Sequence, residues 1–198
     1  MTTPGNASGA APAILGVAPR YRGWCTLYLA TVRLADGRVT TREIEDHGNA
    51  ACVLPYDPAR RVALVIRQLR TPPLYAGGVA ALIEAPAGLI DQGEDGATAA
   101  RREAMEEAGV RLTRLEKVSE AWTMPGLSSE RMALFLGVYA AADQVAPGGG
   151  VASEHEEIEV IEVPLATLAA MAESGELADL KTFALVQTLR IRRPDLFA

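Results

Sequence analysis

Three glutamates, Glu103, Glu106 and Glu107, stand three and four residues apart in "RREAMEEAGV", beside Arg102. On a helix, residues at that spacing share a face. Like charges so placed repel by a few tenths of a kcal/mol per pair in water, and by more once desolvated. A divalent hard cation reverses the sign of that interaction. Mg²⁺ suits carboxylate and carbonyl oxygens, keeps several waters, and is often shared with substrate phosphates. The chain has 2 histidines and 2 cysteines, so oxygen ligation is the natural expectation. The bland alternative is a solvated, charged helix face.

The elements that must position these residues are partly readable. Residues 95–108 read as a helix, with Asp95 or Thr98 as N-cap and Gly109 as its stop. "LIEAPAGLI" feeds that helix as a short apolar segment. "NAACVLPYD" and "RVALVIRQLR" read as strands, and "TPPLYAGGVAA" (71–81) as a Pro/Gly-rich loop. Further strands are expected at 114–123 and 131–139, a loop at "APGGG", and a half-buried strand at "EIEVIEVP". Helices are expected from Pro164 to Glu173 and from Asp179 to Arg192. Upstream, two β-rich runs flank Asp36-Gly37, a hairpin signal. Strands and helices in this order give an α/β or α+β layered domain. The expected organisation is a flexible tail over 1–16, a hairpin module over 17–46, and a main domain over 47–198.

The 198 residues suffice for one full core plus a small extension. A net charge of -6 argues against a general nucleic-acid binder. It does not exclude a phosphate ligand, because a metal neutralises phosphate locally. Cys25 and Cys52 form no C-x-x-C pair, which argues against a disulfide framework or zinc ribbon. No apolar run approaches a membrane span, and the N-terminus does not read as a signal peptide. A cytoplasmic location is the expectation.

The wider spacing decides between the two readings of the glutamates. Gly88, Glu94, Arg102, Glu103, Glu106, Glu107 and Gly109 stand in G-x5-E-x7-R-E-A-M-E-E-A-G-V. Seven fixed types, each at roughly 5–7% usage, coincide by chance on the order of once in 10⁸. This stretch resembles the signature box of the Nudix hydrolases. The resemblance implies an α/β/α sandwich with a mixed sheet that holds Mg²⁺, with Mn²⁺ possible. It also implies hydrolysis of a nucleoside diphosphate linked to another group. By position, Glu103, Glu107 and the Ala87 carbonyl match metal ligands, and Glu106 a further acidic residue near the metal. Arg102 matches the arginine that orients the glutamates, and Glu94 a brace of the loop. Ala104 departs from the pattern, which usually carries a bulkier aliphatic residue there, and this bears on packing.

Pro125-Gly126, fifteen residues past Val110, resembles the ADP-ribose pyrophosphatase branch and the related GDP-mannose pyrophosphatases. There Glu130 matches a residue near the terminal sugar. Arg67 matches a phosphate contact, with Arg70 a weaker match, and Glu84 a base or substrate contact. Glu154 and Glu156, in "SEHEEIEV", align with the glutamate that activates water and with another metal ligand. Such a glutamate acts as a general base if it reaches the attacking water. The hairpin resembles the module through which such enzymes form homodimers, where Trp24 or Tyr28 could stack on a base. "GGGV", "GEL" and "DLKT" look more like the GDP-mannose enzymes, whereas Leu127 stands where a second glycine is common. The sugar stays open between ADP-ribose and GDP-mannose types. Two other readings are a sensor that binds an ADP-ribose-type ligand without cleaving it, and a Nudix enzyme with another diphosphate substrate. The intact glutamates argue against the first.

Overall fold

The computed structural model describes residues 11–151 and 157–198. Glu154 and Glu156 lie outside the described residues. Contacts divide the chain into two compact units, Met1–Gly48 with Trp122–Glu130, and Asn49–Ala121 with Arg131–Ala198.

The first unit holds an antiparallel sheet of β1 (Ala13–Arg22), β2 (Thr26–Arg33) and β3 (Val39–Asp46), in that order. Asp36-Gly37 makes the β2–β3 turn as expected, with Gly37 at φ 85° and the Arg38 N–H on Asp36 Oδ1 at 3.0 Å. Strand β1 was not expected, and it begins inside the stretch read as a tail. Its sequence, AILGVAPRYR, has no two-residue period and contains Gly16 and Pro19. An edge strand tolerates both, and the register shifts fall between Ile14 and Gly16 and between Pro19 and Tyr21. The 122–130 segment joins β3 through Glu45 N–H to the Leu127 carbonyl and Ser129 N–H to the Glu45 carbonyl, each 2.9 Å.

In the second unit the strands are β4 (Ala50–Asp57), β5 (Val62–Leu69), β6 (Ala81–Glu84), β7 (Ala87–Leu89), β8 (Arg114–Trp122), β9 (Arg131–Val138) and β10 (Ile158–Pro164). Their order is β10-β5-β4-β9-β8, with β6 on β5 and β7 on β4. The sheet is mixed, since β4 runs parallel to β9 and antiparallel to β5 and β7. Alternate side chains of the central strands enter two cores. Ala51, Val53 and Leu64 pack against helix α2 (Gly96–Ala108). Cys52, Leu54, Tyr56 and Val65 pack against α3 (Leu165–Ser174) and α4 (Leu180–Arg192). This is the expected α/β/α sandwich.

The 71–81 stretch is not all loop, because Thr71–Gly77 forms a short helix, α1. Proline has the φ of a first helical turn and lacks an N–H that would be unpaired there anyway, so Pro72 and Pro73 open this helix rather than break it. Among the described residues, no helix is long and apolar enough to cross a membrane.

One irregularity of the sheet sets the site. Strands β4 and β5 pair only at Tyr56–Ala63 and Asp57–Val62. Farther along, β6 takes the edge of β5, with Glu84 opposite Ile66, and β7 takes the edge of β4, with Ala87 opposite Cys52. Ala85-Pro86 crosses the opening between them.

Candidate active site

Helix α2 is fixed at both ends by its own sequence. Asp95 caps its start by accepting the Thr98 N–H at 2.7 Å. Gly109 ends it at φ 66°, where an added Cβ would meet the Ala146 carbonyl at 2.0 Å. The loop that follows β9 closes over this end. Gly149 and Gly150 donate N–H bonds to the Glu107 and Glu106 carbonyls at 2.9 and 3.0 Å. Such bonds satisfy helix-terminal carbonyls that otherwise lack partners.

Arg102 gathers the acidic side chains. Its guanidinium donates to both oxygens of Glu94 (3.2 and 3.1 Å), to Glu103 Oε1 (2.6 Å), to Glu106 Oε2 (3.0 Å) and to the Leu89 carbonyl (2.8 Å). The Glu94 hydrogen bonds, followed by Glu103 and Glu106, hold Arg102 still more firmly protonated than usual. The bond from Arg102 in turn holds the Glu94 carboxyl below its usual range. Glu94 also accepts the Asp91 N–H at 3.2 Å, so it ties the loop before α2 to the helix.

Glu107 and Glu103 face the β7 segment and are 1% and 7% exposed. Glu107 Oε2 accepts the Ala87 N–H at 2.8 Å. A Cβ at Gly88 would fall 2.0 Å from Glu103 Oε1, so only glycine admits that carboxylate against the backbone. A cavity of about 190 Å³ opens here, lined by Ala87, Gly88, Arg102, Glu103, Glu106 and Val151. Among the described residues, no three His, Cys, Asp or Glu side chains form a ready-made metal cluster. The donor chemistry nonetheless fits a hard cation. Several carboxylates and a peptide segment adjoin one polar cavity, and a hydrated Mg²⁺ needs only one or two protein carboxylates. A larger cavity, about 690 Å³, lies at the α2 N-terminus between Arg101, Lys117, Arg131 and Phe135, and none of Glu103, Glu106 and Glu107 lines it.

Glu84 ends β6 in a second charged network. It is 2% exposed, a burial that is costly for a charge unless it is paired. Arg70 clasps it with two bonds of 2.6 and 2.9 Å, and Lys181 Nζ reaches it as well. Burial pushes the Glu84 pKa up, but Arg70 and Lys181 outweigh it, and the net shift is downward. Lys181 also pairs with Asp179, the N-cap of α4, at 2.9 Å. Arg67 is placed differently. It sits opposite Glu159 of β10 and pairs with it at 2.8 Å, with both side chains well exposed.

Within the first unit, Glu130 accepts the Thr123 hydroxyl at 2.5 Å and lies 3.4 Å from His47 Nε2. His47 Nδ1 lies 2.6 Å from Glu45, and Trp24 stacks on the imidazole with centroids 4.8 Å apart. Burial lowers the His47 pKa, yet Glu45 and then Glu130 outweigh it and raise it. Trp24 is 77% exposed, whereas Tyr28 is half-buried in β2. Sequence reasoning missed His47, Glu45, Asp179, Lys181 and Thr182 as members of these networks. "DLKT" was the only signal for the last three.

Chains similar to this one include the GDP-mannose pyrophosphatase of Cronobacter sakazakii, 41% identical over 160 residues, covering 79% of this chain and 82% of that one. The GDP-mannose pyrophosphatase of Citrobacter koseri is 38% identical over 149 residues, 75% of this chain and 76% of that one. A solved structure described as an ADP compounds hydrolase has a similar fold, with a TM-score of 0.76 at 20% identity, covering 96% of this chain and 98% of that one. The family model of the NUDIX domain matches residues 46–185. With most of the sequence inside that match, and the glutamates of α2 gathered around Arg102 beside Gly88, the chain belongs to the NUDIX family.

Proposed function

We infer that the protein hydrolyses the diphosphate bond of a nucleoside diphosphate-sugar. Water attacks one phosphorus and the bridging P–O bond breaks. The products are a nucleoside monophosphate and a sugar phosphate. The observation that carries this reading is the placement of buried Glu103 and Glu107 against the Ala87–Gly88 backbone, with Arg102 as their orienting cation. GDP-mannose is the first substrate to assay, because relatives 36–41% identical bear that activity in their names.

Glu103, Glu107 and the Ala87 carbonyl are proposed to hold Mg²⁺, with Mn²⁺ as a substitute and Glu156 as a further ligand. When bound, such a metal neutralises the diphosphate oxygens and makes water nucleophilic near neutral pH. Arg102 keeps Glu103 and Glu106 aimed at the cavity and supplies their counter-charge. Glu106 accepts protons or water hydrogen bonds at its rim. Glu154 is the proposed general base. Arg67, Glu84, Glu130 and Trp24 are proposed substrate contacts. For Arg67 this requires leaving Glu159, an exposed pairing worth about 0–1 kcal/mol.

The test is a panel of GDP-mannose, ADP-ribose, NADH, dinucleoside polyphosphates and dGTP with Mg²⁺ or Mn²⁺, scoring nucleoside monophosphate release. Turnover of none of them sinks the reading. Glu107→Gln is expected to fold and to lose at least roughly 10²-fold in kcat, the scale of a lost electrostatic contact at the reacting group. Near wild-type turnover would remove Glu107 from the site.

We also propose a homodimer formed through the N-terminal sheet. Strand β1 leaves Ile14, Leu15, Val17 and Tyr21 exposed, and apolar surface of that extent calls for a cover. Sedimentation equilibrium should give twice the chain mass, and a monomer at micromolar concentration would refute it. A cytoplasmic location is proposed because Cys25 and Cys52 are both unpaired.

A further inference from the structure

The crossing peptide Ala85-Pro86 carries the chain from the β5 edge to the β4 edge, directly ahead of Ala87 and Gly88. Its polar groups are held one by one. The Ala85 carbonyl accepts the Cys52 thiol at 3.7 Å, and the Pro86 carbonyl accepts the Val53 N–H at 2.9 Å. The Ala87 N–H goes to Glu107 at 2.8 Å. The Ala85 N–H goes to Thr182 Oγ1 at 2.6 Å, a residue 97 positions away on α4.

Thr182 has no freedom in that contact. Its hydroxyl donates to Asp179 Oδ2 at 2.5 Å, and the same oxygen accepts the Thr182 N–H at 3.0 Å. A carboxylate only accepts, so the hydroxyl hydrogen is committed to Asp179. The lone pairs on Oγ1 are what remain for Ala85. Thr182 and Ala85 are both 0% exposed, and water is not at hand to replace either bond. The N-cap of α4 is thereby wired through one hydroxyl to the backbone two residues ahead of the Glu107 contact.

We infer that Thr182 is a positioning residue for the carboxylate site: with Asp179, it fixes the Ala85–Ala87 backbone and so sets where Ala87 meets Glu107. This rests on the hydrolase reading above. It assigns work to the threonine of "DLKT", which no proposed substrate or metal contact uses. Outer contacts that orient metal ligands typically cost roughly 10–100-fold in metal affinity or activity when removed.

The experiment uses the full chain with Thr182→Val, which keeps the shape and loses the hydroxyl, and Thr182→Ser, which restores it. Mn²⁺ affinity is measured from the electron paramagnetic resonance of free Mn²⁺, and kcat and KM with GDP-mannose or the best substrate of the panel. Thr182→Val should weaken Mn²⁺ binding and lower kcat roughly 10–100-fold, with KM within about threefold, while Thr182→Ser stays within about threefold throughout. The Ala85 amide should exchange faster in Thr182→Val. If that variant does not fold, Thr182→Ala, which also lacks the hydroxyl, is read in the same way. A Thr182→Val chain that melts lower yet keeps wild-type Mn²⁺ affinity and kcat overturns the inference, because the contact is then only structural. A wild-type chain that neither binds Mn²⁺ nor cleaves any sugar nucleotide overturns the hydrolase reading and this inference with it.

Discussion

Replacing Gly88 with alanine perturbs the site through a single methyl group. The new Cβ would lie 2.0 Å from Glu103 Oε1 and 2.4 Å from its Cδ. A carbon and an oxygen rest at about 3.3 Å, so the carboxylate must retreat by about 1.3 Å. The backbone at Gly88 is not in the left-handed region, so alanine adds no strain of its own. The yielding part is therefore the carboxylate, which must also loosen its 2.6 Å bond from Arg102. A misplacement of about 1 Å at a reacting centre costs on the order of 10²-fold, or about 2.7 kcal/mol of barrier. Steady-state hydrolysis with Mg²⁺ should show that loss in kcat, while the thermal melt moves little. Gly77→Ala is the control, since an added Cβ there meets nothing within 4 Å. A Gly88→Ala enzyme within about threefold of wild-type kcat would refute the reasoning that Glu103 must lie against this backbone. Loss of the fold would show instead that the backbone yields before the carboxylate.

Arg102→Met should lower stability by about 1–3 kcal/mol, because it strips the counter-charge from Glu94, Glu103 and Glu106 together. Saturating Mg²⁺ should recover more of the urea midpoint in this variant than in wild type, and an equal response of the two would count against a shared cation site. A pH series probes the first unit through His47. Its raised pKa adds stability that is complete below the unfolded value near 6.5 and fades as pH climbs through the folded value. Denaturant stability should therefore decline from mildly acidic to alkaline pH, and His47→Gln should flatten the decline. An unchanged slope would mean that Glu45 and Glu130 do not hold the imidazolium.

The acidic cluster was legible because Arg102, Glu103, Glu106 and Glu107 lie on one helix, where spacing fixes geometry. Asp95 and Gly109 marked the ends of α2, and "NAACVLPYD" and "RVALVIRQLR" read as the strands that became β4 and β5. The misses have physical causes. Strand β1 follows no period because it is an edge whose register shifts beside Gly16 and Pro19. Helix α1 was hidden by prolines that suit a first turn. Strands β6 and β7 have 4 and 3 residues, too short for a period to show. The Glu84 network joins residues 14 and 97 positions apart, and no spacing rule reaches across a fold. Arg67 was legible as a charge on a strand, but its partner Glu159 depended on the β5–β10 register.

Helix α2 rests on the sheet almost entirely through alanines. Ala99, Ala100, Ala104 and Ala108 are each 0% exposed. A methyl group is the thinnest spacer a side chain offers, so little side-chain bulk stands between this helix and the sheet. Glu103 and Glu107 flank that contact stripe, and their short reach to Gly88 and Ala87 depends on the clearance it sets. Ala104, where a bulkier aliphatic residue is usual, stands in that stripe, one residue from Glu103 and three from Glu107. The opening of the proposed carboxylate site is thereby bounded from the core side, by buried alanines that the cavity lining does not include.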